Sequence, residues 1–148
     1  MAFRFPLQAL LRFRESFERR ERLLLELATR EVVRTRRQVE DAKTDREGAL
    51  EEMASHLKSG LAGVELQFEV ASDSLRKRHI VVLGEQLEKL DTQRLSQLQA
   101  YQKAQKQRKI LENLRDRQRA LYRVEQERRA QQQMDERFLI RRGESDPG

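Results

Sequence analysis

The side chains in this sequence best suited to chemistry are arginines gathered in short clusters. They are Arg19-Arg20-x-Arg22, Arg34-x-Arg36-Arg37 and Arg115-x-Arg117-x-Arg119. Guanidinium groups at this density could grip phosphates or carboxylates. Glu15, Glu18, Glu21, Glu26 and Glu31 interleave with the first two clusters, and Glu112 and Asp116 with the last. Three readings stay open: helix charges paired at spacings of three and four, a docking surface for an acidic protein, or a nucleic-acid surface. Aromatic residues for base stacking are nearly missing along these faces, which disfavours the last.

Other candidate chemistry is sparse. His56 and His79 are the only histidines and flank a glycine-rich stretch, so a turn could bring both toward one metal, but two ligands make a weak site. Glu51-Glu52 and Asp135-Glu136 are adjacent carboxylates, which diverge on a helix and form no catalytic pair. No Gly-rich phosphate loop occurs, and no Ser, His and Asp grouping suits a concave site. With no Cys, disulfides and thiolate chemistry are excluded. The expectation is a protein that is not an enzyme and uses no cofactor.

The elements that carry these residues follow from composition. Between Pro6 and Pro147 the chain runs 140 residues without proline, built mostly from Arg, Glu, Gln, Leu, Ala and Lys. Proline costs roughly 3 kcal/mol in a helix interior, while these residues lose little there. With 38% charged and 5% aromatic residues, the chain buries a narrow stripe along long helices rather than wrapping a compact core. Ser59-Gly60-Leu61-Ala62-Gly63 is the densest break. It predicts an all-α fold of two long helices in an antiparallel coiled-coil hairpin, as one domain over 1–148. The first helix covers about 7–57, the turn 58–65, and the longer second helix about 66–138, with a C-terminal overhang and a disordered tail at 141–148. Ser72-Asp73-Ser74 is an alternative cap for a later start.

Steps of three and four give the seam Leu25, Ala28, Val32, Thr35, Val39, Ala42, Arg46, Ala49 and Met53. Upstream it continues less strictly through Leu7, Leu10, Phe17 and Leu24. The second helix offers Phe68, Ala71, Leu75, Val82 or Leu83, Leu87, Leu90, Leu98, Tyr101, Leu111, Leu114 and Leu121, interrupted by Arg94, Gln97, Arg108 and Gln118. A turn near residue 61 pairs position i with roughly 123 − i.

Charge divides the chain into thirds. Residues 4–37 hold ten Arg against five Glu, a balance of +5. Residues 38–75 hold three basic against nine acidic residues, a balance of −6, and residues 101–142 hold thirteen against six, a balance of +7. A hairpin would therefore have a basic stem and an acidic tip. No apolar run approaches the roughly 18 residues of a membrane span. The N-terminus has no apolar block followed by a small-residue cleavage site. Both point to a cytoplasmic location without direct membrane insertion.

Several motifs resemble those of the FliJ family of flagellar type III export proteins. The opening is Phe3-x-Phe5-Pro6-Leu7-Gln8-x-Leu10-Leu11-x-x-Arg14-Glu15. The close is Leu114-x-Asp116-Arg117-Gln118-x-Ala120, a Gln run, then Met134-Asp135-Glu136 and Arg141-Arg142. After the turn, Phe68, Ala71 and Leu75 follow the family spacing, with Ala71 where the pattern has a second aromatic.

The resemblance implies a non-catalytic stalk that couples parts of the export apparatus. Its basic stem would contact the hexameric export ATPase FliI through Arg12, Arg14, Arg19, Arg20, Arg115 and Arg119. Its tip would contact the export gate protein FlhA through Phe68 and Leu75. It also implies escort of export chaperones, and a position at the cytoplasmic face of the inner membrane held there by the export apparatus. A virulence-type III secretion stalk shares this architecture, and a basic coiled coil binding nucleic acid is the alternative of another class.

Overall fold

The computed structural model describes residues 2–145. Two helices account for nearly all of them, α1 (Gln8–Ser59) and the longer α2 (Gly63–Ser145), and no strand occurs among the described residues. Pro6 precedes α1, where its missing N–H costs nothing, and Gln8 N–H donates to Phe5 O at 3.1 Å.

The turn is tighter than expected. Among the described residues Gly60 alone has positive φ, at 88°, and it ends α1 as a left-handed cap. Gly63 is already helical, so α2 starts three residues before 66, and Leu66 N–H donates to Ala62 O at 3.1 Å. No second start occurs at Ser72-Asp73-Ser74. Ser74 Oγ bonds back to Val70 O within an unbroken helix, and the Asp73 carboxylate goes to Arg46. α2 also runs past 138, so residues 141–145 of the expected tail are helical, and 146–148 lie outside the described residues.

The chain divides into two compact units, one of residues 1–18 with 103–148 and the other of residues 19–102. In the second, the two helices run antiparallel, as shown by Glu21 meeting Gln97 and Arg46 meeting Asp73. These partners lie five and four residues from the expected pairing, somewhat more than one helical turn. All nine seam positions from Leu25 to Met53 are buried or half-buried, with Val32, Thr35 and Val39 the deepest. Gln97 Nε2 donates to the Glu21 backbone carbonyl at 3.0 Å and also to its carboxylate. Arg46 Nε donates to Asp73 Oδ1 at 2.9 Å.

In the other unit the arm before α1 and its first turns lie against α2. Leu11, Phe5 and Ala104 form its buried core. Arg14 donates to Gln107 Oε1 at 2.7 Å, and Arg108 bridges Glu18 and Glu112. The hydrogen bond to Glu112, then that to Glu18, holds the Arg108 guanidinium still more firmly protonated, against the pull of burial. Phe3 and Tyr122 meet with ring centroids 5.6 Å apart. From Glu127 to Glu144 every described side chain is exposed, so the expected overhang is present as helix.

The upstream seam differs from the expectation. Leu7, Leu10 and Leu24 are outward, while Leu11, Arg14, Glu18 and Glu21 face inward. In α2 the inward row is Leu66, Glu69, Asp73, Arg76, Ile80, Leu83 and Leu87, not Phe68, Ala71, Leu75 and Val82, and further on Leu114 and Leu121 are likewise outward. Among the described residues no helix is long and apolar enough to cross a membrane.

Two outcomes follow. Val39→Asp puts an unpaired carboxylate into the seam and should cost about 2–4 kcal/mol, read as a lower melting temperature by circular dichroism. The Arg46 hydrogen bond, above all, holds the Asp73 carboxyl below its ordinary value of 3.8, with partial burial opposing and the charges of Arg46, Lys77 and Arg76 adding. Its stabilisation is therefore present above that value and is lost as pH falls through the lower folded value. Asp73→Asn should lower the melting temperature at pH 7 and converge with the parent as pH falls below the lowered folded value; parallel curves through the acid range would show the pair contributes nothing.

Candidate docking surfaces

The candidate sites are exposed faces and shallow grooves placed by helix register. On α2 in the turn-bearing unit, positions 68, 71 and 75 repeat the three-four step two residues out of phase with the seam at 66, 69 and 73. Phe68 is therefore 70% exposed and Leu75 65% exposed, one heptad apart on an outward row. Val64 and Val82 extend the same row and are also exposed. Seam packing of Phe68 and Leu75, the plainer reading of their apolar character, is ruled out by this placement. Ala71 lies between them and is exposed.

The row begins beside the turn. His56, Leu61, Val64, Glu65, Phe68 and Glu69 line a groove there of about 410 Å³. Glu51 and Glu52 are exposed nearby in sequence, so acidic side chains accompany the apolar row. His79 lines a different groove, with Gln38, Asp41, Ala42, Asp45, Arg76 and Leu83. The two histidines thus serve separate surfaces, and no group of three or more His, Cys, Asp or Glu gathers as metal ligands among the described residues.

The predicted arginines fall into different circumstances. Arg12 and Arg20 are exposed, and so is Arg19, which has interactions of its own. Arg14 is half-buried, bonded to Gln107 and lying 5.7 Å from the Phe13 ring centre. The Arg115 side chain is 26% exposed, and its Nε lies 3.4 Å from Asp116 Oδ1. Arg119 is exposed and lies over the Phe3 ring at 5.7 Å. Arg12, Arg14, Arg115 and Arg119 belong to one unit, and Arg19 and Arg20 open the other.

Two features escaped the sequence reading. One is a groove of about 320 Å³ lined by Phe3, Arg4, Phe5, Gln8, Arg115 and Arg119. The alternation of Phe3, Arg4 and Phe5 was the available signal, since rings that anchor the arm also deliver the arginine between them. The other is the outward apolar pair Leu23 and Leu27 of the turn-bearing unit, visible only once the register is known.

The closing motif is also outward. Met134 is 65% exposed, Glu136 is exposed, and Asp135 Oδ1 accepts a hydrogen bond from Gln131 Nε2 at 3.1 Å. Phe138, Leu139 and Ile140 follow, all exposed.

Since Phe68 and Leu75 bury little, changing both to Ala should leave helicity unchanged and stability within about 0.5 kcal/mol. A marked drop in melting temperature would mean the pair carries packing.

Among known protein families, the model described as flagellar FliJ protein matches residues 3–144. Neither curated proteins nor solved structures yield a match.

Proposed function

The chain belongs to the flagellar FliJ family, and from that premise we propose that it is a non-catalytic stalk and coupling factor of flagellar protein export. Membership makes it a flagellar export-associated protein; the partners and their contact surfaces are the proposal. The basic unit docks on the hexameric ring of the export ATPase FliI and raises its turnover. The turn-bearing unit docks on the export gate protein FlhA through Phe68 and Leu75. Escort of export chaperones belongs to the same role, and the protein acts from the cytoplasm, at the inner face of the membrane, held there by its partners.

The observation that carries this reading is the outward apolar row on α2. A chain with so little apolar material leaves Val64, Phe68 and Leu75 in water while placing Arg46, Asp73 and Arg76 at the seam. An exposed apolar set of this kind marks an interaction surface. The arginines supply the second surface. Exposed ion pairs contribute only about 0–1 kcal/mol each, so their joint field acts mainly on encounter and orientation.

The test separates the two surfaces. Arg12→Glu, Arg115→Glu and Arg119→Glu together, all in the basic unit, should abolish stimulation of FliI ATP hydrolysis at low salt while FlhA binding persists. Phe68→Ala with Leu75→Ala should weaken FlhA binding and spare stimulation. Full stimulation by the triple variant, with helicity intact, would remove the basic surface from the mechanism.

A further inference from the structure

The groove lined by Phe3, Arg4, Phe5, Gln8, Arg115 and Arg119 has three arginines and no carboxylate in its lining. Neither Arg4 nor Arg119 has a carboxylate partner among the described residues. Arg115 has only Asp116, the next residue on its own helix, at 3.4 Å and with its side chain 61% exposed. Convergence of like charges is unfavourable and is relieved by an anion placed between them. The arm that delivers Arg4 is fixed, because Phe5 is buried and Phe3 meets Tyr122.

We propose that this groove receives a carboxylate side chain of an acidic protein segment that also carries an apolar residue. The arginines take the carboxylate through charge-assisted hydrogen bonds. The Gln8 amide can bond the adjoining backbone, and the edge of the half-buried Phe3 ring gives the neighbouring apolar side chain a surface. A nucleotide fits less well. The Phe3 ring is already engaged by Tyr122 at 5.6 Å and Arg119 at 5.7 Å, and Phe5 is buried, so neither ring offers a face to a base.

The inference rests on the docking of the basic unit on the export ATPase and assigns that docking to one groove. Arg4 is the addition to the predicted arginine set.

The experiment uses the full chain and FliI. Arg4→Gln with Arg119→Gln should weaken binding at low salt about 10-fold, with the difference shrinking as salt rises. Circular dichroism should show unchanged helicity. The paired variant Arg4→Lys and Arg119→Lys keeps the charge and should retain binding. Treated with a carbodiimide, which joins an amine to a touching carboxylate, it should link residue 4 or 119 to an Asp or Glu of the ATPase, located by mass spectrometry. Equal binding by the Gln variant, with no such link, would overturn the groove's role while leaving the docking reading intact. Failure of the unaltered chain to bind FliI would remove the docking reading and the groove's partner with it. Inorganic phosphate offers the remaining arm: amide shifts at residues 3–8 that the Gln variant loses, with unchanged ATPase affinity, would identify a small-anion site and reject the carboxylate.

Discussion

Every structural feature here depends on one constraint, that a helix with this much charge can bury only one narrow row of side chains. The row keeps a strict alternation of three and four. In α2 it passes through Leu66, Glu69, Asp73, Arg76, Ile80, Leu83, Leu87, Leu90, Arg94, Gln97 and Tyr101, then Ala104, Arg108, Leu111, Arg115, Gln118 and Tyr122, each half-buried or buried. The geometry is continuous although the hydrophobicity is not. Where apolar residues fail, long polar side chains keep the register by bonding to the other helix, as Arg46 does to Asp73 and Arg108 to Glu18. Partly buried pairs of this kind add little net stability, because desolvation offsets attraction, but they penalise a slipped register that would strand one partner.

That division explains what the sequence discloses. The helices, the glycine turn and the stretch from Leu25 to Met53 are legible, since there the inward row is mostly Ala, Val and Leu and the step is unbroken. The error upstream came from preferring leucine to regular spacing. Continuing the same step backward from Leu25 reaches Glu21, Glu18, Arg14 and Leu11, which are the residues that face inward. Leu10 and Leu24 attract the eye but lie on another face. The same preference put Phe68 and Leu75 in the seam as one option, although the step passes through Glu69, Asp73 and Arg76.

The candidate surfaces divide in the same way. The outward position of Phe68 and Leu75 follows from register alone and could be read from the sequence once charged residues are admitted to the seam. The groove around Arg4 could not. It depends on an extended arm, anchored by Phe5 and by the Phe3–Tyr122 contact, coming against α2 at Arg115 and Arg119. Helical periodicity carries no information about a segment that precedes the helix. The arginines show a related limit: a count of positive charge does not reveal that Arg14 is bonded to Gln107 while Arg12 faces water.

The placement of polar and apolar residues bears on what such a protein can do. A compact enzyme spends its apolar side chains on a core that holds catalytic groups rigid. Here Val32, Val39, Leu11, Phe5 and Ala104 are the buried apolar residues of the described chain, while Phe68, Phe138, Leu139 and Ile140 stand in water. A single exposed leucine means little, but rows of exposed apolar residues are costly to keep soluble and are retained where something covers them. The polar seam supplies the complement. A pair of helices held in register by bonded side chains needs few apolar residues inside, which leaves apolar and guanidinium groups on the outside. The proposed coupling role would draw on this thin core, because residues that could have thickened it stand in water instead.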